Sequence, residues 1–458
     1  MTFGEGTPVE LKLEIGLGIT VDDSGVSFNK LLHEVSRCLG MLGPRITTEI
    51  IHACQDHLIE NACQEKAPEH LVRHCRKNEP GQYCLRVDPF TRKGFRTKPR
   101  YLLTNLGDVA FKVQFLSCRT CGHRETPILK FLKLDQYQSH SGTLEKMLME
   151  VIAKETYRDG VARIEGIADV PVPKSTAHRW VLESEAANID PPPTNLESLM
   201  ADSTKVKMEG GKKGDLRAAI GFDEGGRLQP LGTWMGKDWS EIEANLAQQM
   251  LHQKRKPKIL VSDGETGLDD HLSSLAEHAQ RSHWHLQRDL RVIMWRDGLS
   301  KEAVEPYRDR LQSILGIEIP AEDYQAVAPS DKKALEEKIE TAKKEFRAMV
   351  DEFAQRGYAH ASTYLENALS KVFTHVELWL KIGYLAPKTT SVLENVMRAL
   401  GKRLKKFAYN WSDRGAEKVA RIILKRLPTE AQWKAYWHRI LCLSDECSIR
   451  INYCRLAA

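Results

Sequence analysis

The sequence predicts an α/β core interrupted by a long all-helical segment and preceded by helical and β-rich modules. Three observations predict it. Between residues 196 and 290 short apolar runs alternate with amphipathic stretches, the pattern of strands alternating with helices. Residues 291–388 lose the strand pattern and turn charged and helical, as in Lys332 to Phe353. Upstream lies Asp190-Pro-Pro-Pro-Thr194, a linker because consecutive prolines favour extended chain and cannot pair in a sheet.

Residues 1–65 form an N-terminal helical region, with Leu31, Leu32, Val35, Leu39, Ile50, Ile51 and Leu58 at helical spacing. Residues 66–135 are rich in cysteine, glycine and proline and hold alternating runs around Tyr101 and Val109, so a small β-rich module is expected. Residues 136–189 return to helical period through Leu144, Met147, Leu148, Val151 and Ile152. After the linker, 196–290 reads strand (Leu199 to Asp202), strand (Leu216 to Phe222), turn, strand (Leu228 to Trp234), helix (Ser240 to Leu251), strand (Lys258 to Asp263), helix (Gly267 to Ala279) and short strand (Arg281 to His285). That order is ribonuclease-H-like, α/β. Residues 291–388 are then a large all-helical insertion, and 389–458 carry one amphipathic helix and C-terminal helices.

Composition narrows the class. At 458 residues the chain exceeds one ordinary core, so roughly two to four domains are expected. Lys+Arg number 67 against 62 Asp+Glu, so net charge does not choose a partner; local clusters such as Lys205 to Lys213 and Lys402 to Lys406 do. Met1-Thr-Phe-Gly-Glu-Gly lacks the basic and apolar regions of a signal peptide. No run of about 18 apolar residues occurs, so no membrane partner is expected. Ten cysteines with one tight pair fit a reducing, cytoplasmic setting.

That pair, Cys118-Arg-Thr-Cys121-Gly122-His123, has the form of one zinc-ribbon knuckle. A second knuckle would need Cys75 and Cys84, nine residues apart (84 − 75). Structural zinc on Cys75, Cys84, Cys118 and Cys121 is one reading, and reduced thiols without metal the other. Gly160 to Ile164 followed by Ala168 to Trp180 has the form of a helix-turn-helix. Val161 and Ile164 would pack on Ala177, Trp180 and Val181, leaving Lys174, Ser175, His178 and Arg179 outward for DNA. An ordinary helical hairpin is the structural alternative.

The chemistry centres on acidic residues. Asp202 and Asp263 each end an apolar run, and Glu394 sits in the first turn of a helix that continues with Arg398, Lys402, Arg403, Lys405 and Lys406. Carboxylates from neighbouring strand ends and a helix can converge on divalent metal, and cations at helical spacing can follow a phosphate backbone. Structural alternatives stand beside each. Asp202 could cap a turn, Asp263-Gly264 could be a plain turn, Ser391-x-x-Glu394 a capping box, and the basic run a solvated face. Asp223, Asp238, Asp269, Glu366 and Glu377 are equally acidic, so spacing does not select among them.

Val261-Ser-Asp-Gly-Glu-Thr-Gly-Leu268, Thr390-Ser391-Val-Leu-Glu394 and Trp411-Ser412-Asp-Arg-Gly415 together resemble motifs of DDE transposases of the Mutator-like superfamily of bacterial and archaeal insertion sequences. The interval between Asp263 and Glu394, 131 residues (394 − 263), is similar to that family's helical insertion. The resemblance covers about 200–425 well and 1–190 only in general plan. It implies that Asp202, Asp263 and Glu394 hold two magnesium ions, with manganese as a substitute, for DNA cleavage and strand transfer. It also implies terminal inverted repeats and target DNA as partners, a homo-oligomer on DNA and a nucleoid-associated state. His285 and Arg288 align with a DNA-facing C-x-x-H segment, with Ser282 in the place of the cysteine. Trp379 matches either a base-contacting aromatic or, more simply, core. A recruited or decayed copy acting as a DNA-binding regulator, and a nuclease without strand transfer, are the alternatives.

Overall fold

The computed structural model describes residues 27–64, 90–119, 122–192, 194–265, 267–407, 410–441 and 443. Two compact units result, Met1–Trp180 and Val181–Ala458.

In the first unit Ser27 caps helix α1 (Phe28–Cys63) by accepting from the Lys30 amide. The second half of α1 buries Ile51, Leu58, Ile59 and Ala62 with Val109, Phe111, Val113 and Leu116. Those partners come from and around short antiparallel strands: β1 (Thr91–Phe95), β2 (Arg100–Thr104), β3 (Gly107–Phe111), β4 (Gln114–Ser117) and β5 (Arg124–Glu125). They form the sheet β1-β4-β5 and the hairpin β2-β3. Helices α2 (Pro127–Phe131), α3 (Gly142–Ile152), α4 (Tyr157–Ala168) and α5 (Lys174–Glu183) follow, with Ser141 capping α3 and Thr156 capping α4.

The second unit is built on a mixed sheet of β6 (Leu196–Lys207), β7 (Lys213–Asp223), β8 (Leu228–Met235), β9 (Ile259–Ser262) and β10 (His278–Arg281), in spatial order β10-β9-β6-β7-β8. The first three strands pair antiparallel, whereas β9 lies parallel to β6 and β10 parallel to β9. Helices α6 (Trp239–Gln249) and α7 (Leu268–Leu272) bury Ile242, Leu246, Leu268 and Leu272 against Leu199, Ala201, Ala219 and Leu260 on one face. The other face carries α13 (Ser391–Leu404) on β6 and α14 (Asp413–Arg426) on β8, and α15 (Glu430–Ile440) packs on α14. Between β10 and α13 stand α8 (His283–Arg296), α9 (Lys301–Leu315), α10 (Pro329–Gln355), α11 (Ala359–Leu369) and α12 (Thr374–Ile382). This helical block has its own core of Leu290, Met294, Phe346, Phe353, Leu365 and Trp379. Trp379 is fully buried and meets the Tyr324 ring edge-on at 5.2 Å. No helix among the described residues is long and apolar enough to cross a membrane.

Local readings change in three places. The helix expected to run to Ala279 ends as a single 3-10 turn at Ser273–Leu275, because Glu277 and His278 donate their amides to Pro257 and Lys258 and draw the chain alongside β9. The strand expected at Arg281 to His285 is β10, three residues earlier; Ser282 donates its amide to Ser262 and stands as the N-cap residue of α8. Asp202 does not end a strand, since β6 continues to Lys207 against an equally extended β7.

Candidate active site

Strand pairing brings the first two carboxylates near each other. Met200 pairs with Val261 across the parallel strands β6 and β9; Asp202 lies two residues beyond Met200 and Asp263 just past the end of β9, near enough for their charges to act on each other. Side chains alternate along a strand. Ala201 packs on the α6 side, so Asp202 turns to the face covered by α13.

A chain of hydrogen bonds ties the pair together. The Ser203 amide donates to Asp202 Oδ1 at 2.6 Å, and the Ser203 hydroxyl donates to Glu265 Oε2 at 2.7 Å. The Glu265 amide in turn donates to Asp263 Oδ1 at 2.9 Å, and Trp239 Nε1 holds the other Glu265 oxygen at 3.2 Å. Burial, and then the like charge of Asp263, push the Asp202 carboxyl up to about 6; the Ser203 amide and the cationic form of His285 act the other way.

Glu394 approaches from α13. Its Oε1 lies 3.5 Å from His285 Nε2, and His285 Nδ1 lies 3.8 Å from Asp289 Oδ2. Both His285 nitrogens and Glu394 Oε1 are buried without a hydrogen-bond partner. Asp289 is gripped by Arg288 through two bonds of 2.6 and 2.9 Å. Burial would raise its carboxyl, but the nearby His285, the hydrogen bonds from Arg288 and the Arg288 charge win and hold it at about 2. The Asp289 hydrogen bond raises the Arg288 pKa despite burial, with Asp263 and Glu394 adding to the same field. Asp202, Asp263 and Glu394 thus all act on the single His285–Arg288 stretch.

The capping box at Ser391 is not formed. Thr390 is the N-cap residue and makes no side-chain cap bond. It is buried instead, donating its amide to Ser282 Oγ at 3.3 Å, with the two hydroxyls also 3.3 Å apart. Ser282 therefore joins the end of β10 to the start of α13. Glu394, released from capping, is left for His285.

The rival acids have structural partners. Asp223 accepts the amides of Gly225 and Arg227 in a turn, and Asp238 forms a capping box on α6. Asp269 pairs with Lys371 at 2.9 Å, Glu366 with Arg347 at 2.5 Å and Glu377 with Lys343 at 2.8 Å.

Of the expected cationic run, Arg398, Lys402, Lys405 and Lys406 are exposed, and Lys405 reaches Thr204 Oγ1, two residues beyond Asp202. Arg403 departs from the expectation. It is 2% exposed and lies over the rings of Trp411 (4.9 Å) and Phe407 (5.5 Å), so it belongs to the core and is not available to a phosphate. Trp411 also donates Nε1 to the Leu404 carbonyl and exchanges backbone hydrogen bonds with Lys207 and Glu209. Its motif thus pins the end of α13 to the end of β6, and Ser412 caps α14 through the Gly415 amide.

In the first unit Lys174, Ser175 and Arg179 are exposed on α5, His178 is half-buried against Tyr157, and Ile164, Ala177 and Trp180 are buried. Of the four cysteines, Cys75, Cys84 and Cys121 lie outside the described residues. Cys118 is buried; its amide donates to His123 and its carbonyl accepts from Gly122 at 2.9 Å each.

Among the described residues no three His, Cys, Asp or Glu side chains close to within ligating distance of one point. The donor set still suits a hard cation. All three groups are carboxylates, Glu394 offers a buried oxygen without a partner, and Asp202 and Asp263 repel each other. Glu265, Ser203 and Trp239 were not foreseen; the only sequence signal was the position of Glu265 in the Asp-Gly-Glu segment. Comparison of the chain with protein-family models and with curated proteins finds no match.

Proposed function

We propose that this protein is a DNA transposase of the DDE type, cutting element ends and joining their 3′-hydroxyls to target DNA. The observation that carries the reading is the approach of Asp202 on β6, Asp263 just after β9 and Glu394 on α13, which packs on β6, to His285 and Arg288. The strand order β10-β9-β6-β7-β8 supports a ribonuclease-H-like core, and the helical block between β10 and α13 supports its insertion.

Asp202, Asp263 and Glu394 would hold two magnesium ions, which when bound activate an oxygen nucleophile and neutralise charge at phosphorus. The protein's own groups do the rest. The Ser203–Glu265 chain keeps Asp202 and Asp263 oriented, His285 faces Glu394, and Arg398, Lys402, Lys405 and Lys406 offer cations to phosphates along α13. Exposed Lys174, Ser175 and Arg179 on α5 support recognition of the inverted repeats.

The test is purified protein with magnesium and a duplex carrying an element end. Joined products support the transposase, cleavage without joining indicates a nuclease, and binding alone indicates a regulator. Full joining by Glu394→Gln would overturn the assignment.

A further inference from the structure

Behind the carboxylates lies a contact that the chemistry above does not use. Arg281, at the end of β10, is 6% exposed. Its guanidinium occupies the place where a Cβ on Gly264 would stand. Gly264 has φ +77°, so two independent constraints require glycine immediately after Asp263: the left-handed backbone and the cation pressed against it. Any side chain there would displace Arg281.

The guanidinium is held from the helical block. Arg281 Nη2 donates to the Tyr364 hydroxyl at 3.0 Å, and the cation lies 5.3 Å from the Tyr364 ring centre. Tyr364, on α11, donates its own proton to the His285 carbonyl at 3.4 Å. The backbone around Arg281 is fastened to the same block: its amide donates to the Lys371 carbonyl at 3.0 Å, and Gln280 Nε2 donates to the Val372 carbonyl at 2.9 Å. One tyrosine thus touches the residue under the Asp263-Gly264 turn and the backbone of the histidine facing Glu394.

We propose that Arg281, latched by Tyr364, is a positioning residue that sets the Asp263-Gly264 turn, so that the helical block controls how well the Asp202–Asp263 pair binds a divalent cation. The cation part rests on the function proposed above; the positioning part rests on the contacts alone. Movement of α11, for example when DNA engages the helical block, would pass through Tyr364 to Arg281 and from there to Asp263. The latch makes the site's affinity conditional on the block's state.

The experiment compares wild type with Tyr364→Phe and Arg281→Lys. The first removes only the hydroxyl, and the second keeps charge while losing the planar fork. Two readouts are taken: amide hydrogen exchange of the turn after Asp263 in metal-free protein, and the calorimetric dissociation constant for Mn2+, with Asp263→Asn as a control. Loss of the hydrogen bond between Arg281 and the Tyr364 hydroxyl, the shorter of that hydroxyl's two, predicts exchange at the turn faster by about three- to tenfold, and Mn2+ affinity weaker by a similar factor, with the remaining exchange pattern preserved. Unchanged exchange at the turn in both variants overturns the latch. Faster exchange with Mn2+ affinity unchanged overturns the control of cation binding. Faster exchange in a protein whose wild type binds no Mn2+ upholds the latch and removes the metal-dependent function instead.

Discussion

His285 Nε2 stands 3.5 Å from Glu394 Oε1, joining the first turn of α8 to the first turn of α13 between residues 109 positions apart (394 − 285) in the chain. Neither atom has a hydrogen-bond partner, so the pair is poised rather than locked. A carboxylate oxygen buried in that state costs stability unless it serves something.

On the proposed function, replacing Glu394 by glutamine should leave the fold intact and remove the chemistry. Strand joining should fall by at least about a thousandfold, the scale expected for losing a metal-holding carboxylate worth several kcal/mol at the transition state. Melting temperature should stay within a few degrees. Gel analysis of joined products and a thermal melt check both halves.

Asp202 makes the opposite bargain. Its carboxyl is raised to about 6 by burial and by Asp263, from 3.8 in the unfolded chain. The folded state then holds more protons than the unfolded state between those values, so stability falls as pH rises through that window. Asp202→Asn should stabilise metal-free protein above pH 6 by on the order of 2 kcal/mol, with the gain vanishing below about pH 4. Denaturant melts at both pH values decide; a destabilised Asn variant at neutral pH would refute the account.

Acid should loosen the helical block. His283 and His375 are buried edge-to-face, 4.8 Å apart, and burial lowers their pKa values to about 4 and about 3. The unfolded chain therefore takes up protons first, and stability present above pH 6.5 is lost as pH falls towards 4. His375→Gln should reduce that acid slope, read from unfolding free energy against pH.

Arg403 and Lys402 should separate cleanly. Arg403→Ala removes a buried cation that lies over the Trp411 and Phe407 rings and should cost about 2–3 kcal/mol of stability. Lys402→Ala should leave stability within about 0.5 kcal/mol and lower DNA affinity, reducing the slope of log affinity against log salt by about 1. Equal behaviour of the two variants would contradict the assignment of Arg403 to the core.

Local sequence carried much of this. Short apolar runs marked β6 to β9, helical period marked α1, α3 and α13, and Asp263-Gly264 was open to reading as a plain turn. The misread segments share a cause. The stretch from Gly267 to Ala279 has helical period, but parallel pairing of His278 to Arg281 with β9 outweighs it. Ser391-x-x-Glu394 has the form of a capping box, but Thr390 is drawn into the buried contact with Ser282 and becomes the cap residue itself.

By itself, then, the sequence determined the order of strands and helices and the approximate extent of the helical block. Those depend on propensity and periodicity within a few residues. Only the tertiary structure decided which acids meet, that Arg403 turns inward and Glu394 faces His285, and that Arg281 and Tyr364 stand beneath Asp263. Such outcomes depend on contacts between residues tens to hundreds of positions apart, whose energies no local spacing records.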